Sequence, residues 1–103
     1  MKESPSAAAL QQAIIARLQS VIDPETGADV VRMRLVEKLT ANRDGEVSYT
    51  FRPSSPLCPI AVFLAQQIKN AVAEVPGVRT QQITVTGYAA AEELTKLINK
   101  EIE

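Results

Sequence analysis

The sequence predicts an α+β fold, a small two-layer sandwich in the order α-β-β-α-β-α with a three-stranded mixed sheet and helices mainly on one face. Three observations predict it. Apolar residues recur at helical spacing in three stretches, period-two alternation occupies the segments between them, and turn signals such as Asn42-Arg43-Asp44-Gly45 and Pro76-Gly77 punctuate the chain. With 103 residues, 46% of them hydrophobic, the chain holds enough apolar material for one core, so residues 1–103 are expected to form a single domain.

The first helix is expected from about Ser6 to Ile22, where Leu10, Ile14, Ile15, Leu18, Val21 and Ile22 form one apolar face behind the start signals of Ser4-Pro5-Ser6. Asp23-Pro24-Glu25-Thr26-Gly27 stops it, because the residue before a proline disfavours helical geometry. In the first strand Val31, Met33, Leu35 and Leu39 alternate with Arg32, Arg34, Lys38 and Thr40, although Val36 and Glu37 break the pattern. A hairpin turn at 42–45 leads to a second strand, in which Val47, Tyr49 and Phe51 alternate with Ser48, Thr50 and Arg52.

A longer helix follows, with Ile60, Phe63, Leu64, Ile68, Ala71, Val72 and Val75 on its stripe and Gln66, Gln67, Lys69, Asn70 and Glu74 largely off it. Pro76-Gly77 ends it. Ile83 and Val85 alternate with Thr84 and Thr86 in a third strand, and a last helix from about Ala89 to Glu101 gathers Leu94, Leu97 and Ile98 on one side. A right-handed crossover places the second helix on the sheet face bearing the odd-numbered side chains.

Composition narrows the chemistry. Eleven basic and twelve acidic residues leave a net charge of −1, so no global field draws the chain to nucleic acid or an anionic membrane. Its apolar runs fall short of a membrane span, and the N-terminus lacks an uninterrupted signal-peptide core, which points to the cytoplasm. Two Phe and two Tyr make no stacking row for single-stranded nucleic acid. Without histidine, the chain has no imidazole base for a nucleophile and lacks the commonest zinc ligand. Its lone cysteine can close neither an intrachain disulfide nor a metal centre by itself.

That cysteine, Cys58, stands in Ser54-Ser55-Pro56-Leu57-Cys58-Pro59, where the strand pattern gives way to the helix pattern. Helix N-termini favour thiolate over thiol, so the position suits a reactive sulfur; equally, a free cysteine often serves as a small buried hydrophobe. Ser54 and Ser55 either donate to such a thiolate or satisfy the backbone of a proline-rich turn. Asp23 and Glu25 either organise their Asp-Pro-Glu turn or supply hard carboxylates to a transient metal site. By parity Arg32, Arg34, Lys38 and Arg52 share the uncovered sheet face, either to dock an acidic partner protein or as a solvated face that guards strand edges.

Taken together, Asp23-Pro24-Glu25, the strand-turn-strand after it, Pro56-Leu57-Cys58-Pro59 and Val75-Pro76-Gly77-Val78 resemble the small metal-sulfur cluster biosynthesis family. That family includes bacterial Suf-associated maturation factors, an assembly subunit of the phenylacetyl-CoA epoxidase system and members of eukaryotic cytosolic iron-sulfur targeting complexes. The likeness runs from about Val21 to Val85. It implies an α+β fold and a non-catalytic role in assembling or delivering iron-sulfur clusters, with Cys58 as the functional thiol that transiently holds iron or a cluster. It also implies support from Asp23, Glu25, Ser54 and Ser55. The implied partners are the iron-sulfur assembly machinery, client apo-proteins and a possible second copy of the chain. An interaction scaffold with a structural Cys58 is the alternative, and a thiol enzyme or redox switch ranks behind both for want of a base and a resolving cysteine. The chain departs from the family in two places: it has Leu57 and Arg34 where glycine is usual. The C-terminal helix is not part of the likeness.

Overall fold

The computed structural model describes residues 7–24, 26–57 and 60–100. Six elements follow in the expected order: α1 (Ala7–Leu18), β1 (Val36–Ala41), β2 (Glu46–Phe51), α2 (Ala61–Ala73), β3 (Thr80–Val85) and α3 (Ala91–Lys100). β2 is the central strand of a mixed sheet ordered β1-β2-β3. It pairs antiparallel with β1 through the hairpin and parallel with β3 across the α2 crossover.

One sheet face is covered. Val47, Tyr49 and Phe51 of β2 and Ile83 and Val85 of β3 are buried with Leu64, Ile68 and Val72 of α2, Leu10, Ile14 and Leu18 of α1, and Leu94 and Ile98 of α3. Burying side chains of this size contributes on the order of 1.5–3 kcal/mol each, which makes this layer the main source of stability. The opposite face carries Thr40, Ser48, Thr50, Gln82 and Thr84, with a hydroxyl bond of 2.7 Å between Thr40 and Ser48. Glu37, opposite Thr50, and Glu46, opposite Thr80, share that face, so it is a polar surface with carboxylates, not a basic one.

The reason lies before β1, which begins five residues later than its alternation predicts. Asp29 caps a single helical turn, its Oδ1 accepting the Arg32 amide at 2.8 Å. The Met33 amide donates to the Asp29 carbonyl, and the turn ends when Leu35 donates to Val30 and Arg34 to Val31, each at 3.0 Å. Those two bonds form a Schellman closure, with Arg34 in the left-handed conformation at φ 60°. Val30 and Leu35, both buried, supply its usual apolar contact. Arg32 and Arg34 therefore belong to a turn, and the expected strand at 31–35 is corrected to a capped helical turn.

Within β1 a bulge separates Glu37, opposite Thr50, from Thr40, opposite Ser48. Lys38 sits in it at φ 56°, exposed, while Leu39 packs on the core. The extra residue is the physical cause of the broken parity.

Four assignments along the helical stripes change. Ile22 lies beyond α1 and is exposed, as are Phe63 and Leu97, whereas Lys69 is buried with its Nζ donating to the Ile98 carbonyl at 3.1 Å. That carbonyl belongs to the last turns of α3, where a helix dipole favours a cation. The start signals Ser4-Pro5-Ser6 lie outside the described residues.

The outer edge of β3 is closed by side chains. Asn99 of α3 accepts the Ile83 amide at 2.9 Å and donates to the Ile83 carbonyl at 2.7 Å, and Thr95 accepts the Val85 amide at 2.9 Å. A helix thus supplies bonds that a fourth strand would otherwise make.

Candidate functional site

The turn bearing Arg34 and the segment bearing Arg52, Ser54 and Ser55 meet at the end of the sheet where β2 finishes. Beyond Phe51 the Arg52 amide donates to the Leu35 carbonyl at 2.7 Å, and the Thr86 amide donates to the Phe51 carbonyl at 3.0 Å. These bonds draw the capped turn, the β2 exit and the β3 exit together. Pro53 is buried, and the chain then surfaces at Ser54, Ser55, Pro56 and Leu57. The Pro56 carbonyl accepts the Ala89 amide at 2.8 Å, which ties this loop to the segment leading into α3.

A cleft of about 480 Å³ opens there, and its lining includes Arg34, Arg52, Ser54, Ser55, Glu37 and Gly87. Ser54 and Ser55 thus line a common cleft with two of the four basic residues singled out above. Arg32 and Lys38 do not line it. The aliphatic stem of Arg52 lies over Gly87, where a Cβ would come within 3.1 Å of Arg52 Cγ.

Asp23 is 0% exposed, in contrast to Ile22 beside it at 48%. Its backbone organises the loop: the amide donates to the Ala28 carbonyl at 2.9 Å, and its carbonyl accepts the Gly27 amide at 2.8 Å. An antiparallel bridge between Ile22 and Asp29 closes the base of that loop. Its carboxylate is closed off from solvent.

Cys58, Pro59 and Glu25 lie outside the described residues. Of the described apolar residues nearby in sequence, Leu57 is 79% exposed, Phe63 51%, and Val62 is also exposed. Phe63 and Ile22 line a shallow groove of about 290 Å³ rimmed by the Arg17–Glu74 ion pair at 2.5 Å. Among the described residues no group of three or more His, Cys, Asp or Glu is arranged to hold a metal ion. No described helix is long and apolar enough to cross a membrane.

Arg52, two residues before Ser54, was legible in the sequence, but its convergence with Arg34 depends on the capped turn that alternation concealed. The strand-mimicking role of Thr95 and Asn99 left no mark in hydropathy.

Residues 11–85 match the model of the iron-sulfur cluster assembly protein family, and the chain belongs to that family. The match spans the capped turn, the cleft loop and the α2 crossover. It stops at the end of β3, before α3. Among its relatives is the Fe-S protein maturation auxiliary factor YitW of Bacillus subtilis strain 168, 32% identical over 77 residues, which cover 75% of this chain and 76% of that one. A second is the Fe-S protein maturation auxiliary factor SufT of Staphylococcus aureus strain USA300, 31% identical over 65 residues, or 63% of this chain and 74% of that one. A crystal structure of a domain of unknown function, DUF59, from Bacillus anthracis superposes with a TM-score of 0.71 at 26% identity, covering 92% of each chain.

Proposed function

We propose that this protein is an iron-sulfur maturation factor, acting without catalysis of its own, in which the Cys58 thiolate engages a cluster, iron or a client together with a partner. The observation that carries the reading is the family match across 11–85, which encloses the chain's single cysteine. The cluster is cargo rather than a resident cofactor. One thiolate and no histidine provide too few soft ligands for a closed site, so the remaining ligands come from a second copy, a client or the assembly machinery. In this reading Ser54 and Ser55, both exposed, donate hydrogen bonds to such cargo, and Asp23 and Glu25 act in support.

The test is activation of an apo-client in the presence of the wild-type chain or of Cys58→Ser. The variant is expected to keep its circular dichroism and melting temperature and to lose client activation. Full activation by Cys58→Ser refutes the thiolate role. Anaerobic reconstitution with iron and sulfide, followed by intact mass measurement, is expected to give a species bridging two chains.

The exposure of Leu57, Val62 and Phe63 favours a second reading, a scaffold that grips clients through apolar contacts while Cys58 is merely packed. Alkylation separates the two. Rapid modification of folded protein with a depressed apparent thiol pKa supports the first reading, and protection until unfolding supports the scaffold.

A further inference from the structure

We propose that the cleft containing Arg34, Arg52, Ser54 and Ser55 is a docking site for a carboxylate borne by an acidic protein partner. The proposal adds a recognition site to the maturation role and rests on that role only for the partner's biological context. Four observations support it. Two arginines and two serines line one cleft, against a single acidic lining residue, Glu37, in a chain whose overall charge is slightly negative. Among the described residues neither guanidinium takes part in an ion pair. Arg34 occupies a left-handed position, where an arginine is strained and a glycine is not. Arg52 runs along Gly87, whose missing side chain leaves room for the arginine stem.

A guanidinium presents N–H groups in a planar fork that matches a carboxylate, and hydroxyls complete the remaining acceptor sites. The chemistry also distinguishes a protein-borne carboxylate from a free anion. Arg34, Arg52, Ser54 and Ser55 are all exposed, so a small ion would keep most of its water. A carboxylate on a protein brings neighbouring residues that cover the cleft and displace that water. Leu57, exposed at the end of the same loop, provides apolar surface for those neighbours.

The probe is a capped peptide of alternating Glu and Ser, titrated into isotope-labelled full-length protein at low ionic strength and followed by NMR. Shifts are expected at the Arg34 and Arg52 Nε–H groups and in the backbone amides of residues 33–37, 52, 54 and 55. Arg34→Gly, which suits the left-handed backbone, and Arg52→Gln should each weaken binding by roughly tenfold, the loss of a charge-assisted contact. Arg32→Gln and Lys38→Gln, which alter charges outside the cleft, should change it less than about twofold. Cys58→Ser should bind the probe normally, so failure of the docking site and failure of the thiolate role are distinguishable. Unchanged binding by Arg34→Gly, or equal losses from Arg32→Gln, overturns the proposal. Inorganic phosphate binding the same groups as tightly as the peptide also overturns it, in favour of a small-anion site.

Discussion

Arg34 shows how one backbone angle changes the meaning of a side chain. Its place in an apolar-polar alternation suggests a strand, yet the paired bonds from Leu35 to Val30 and from Arg34 to Val31 require a left-handed residue. The family resemblance places glycine at this position, the residue that adopts the conformation without penalty. Arg34→Gly is therefore expected to raise stability by about 1 kcal/mol, read as a higher denaturant midpoint with unchanged slope. Gly45 presents the converse case. At φ 86° it accepts the Arg79 amide at 2.8 Å, and an added Cβ would overlap the Gly77 carbonyl oxygen. Gly45→Ala should cost about 2 kcal/mol or more, combining left-handed strain with the separation of two packed turns.

At the scale of elements, α3 couples the sheet edge to the helical layer. Its Asn99 and Thr95 satisfy backbone groups of Ile83 and Val85, and its Ile98 carbonyl receives Lys69 from α2. Asn99→Ala strips both partners from Ile83 at a part-buried edge, at a cost of about 1–3 kcal/mol. Hydrogen exchange should register the change as faster exchange at the Ile83 amide. Concentration-dependent association should increase as the edge is freed. In α2, Ile68 is fully buried against the sheet, and Ile68→Ala should lower stability by about 2–5 kcal/mol in chemical denaturation. By contrast, Phe63→Ser on the same helix alters an exposed side chain and is expected to leave the melting temperature nearly unchanged.

Across the whole molecule a polar chain crosses the core. The Tyr49 hydroxyl donates to Gln81 at 2.8 Å, and the Gln81 amide donates to the Lys69 carbonyl at 3.0 Å. It thereby joins β2 and β3 to α2. Burial pushes the Tyr49 phenol well above its ordinary value, because the phenolate would lose its hydration. This stabilisation is fully present below the unfolded-state value near 10. Above it the unfolded chain ionises while the folded chain does not, so stability falls by up to about 1.4 kcal/mol per pH unit until the folded pKa is reached. Tyr49→Phe should cost about 1 kcal/mol near neutrality and flatten this alkaline decline, as measured by urea denaturation across the alkaline range.

The order of six elements, the central hairpin, the crossover helix and the chain's single thiol were all legible in the amino-acid sequence. These properties follow from local periodicity, turn chemistry and composition, each readable over a few neighbouring residues. Tertiary structure alone decided that the 29–35 segment caps and closes a helical turn, that a bulge at Lys38 resets the register, and that the open sheet face is polar without being basic. It also brought Arg34 and Arg52 beside Ser54 and Ser55. Alternation records which side chains are apolar, whereas convergence depends on backbone hydrogen bonds between segments distant in sequence, such as Arg52 to Leu35, and hydropathy carries no trace of those bonds.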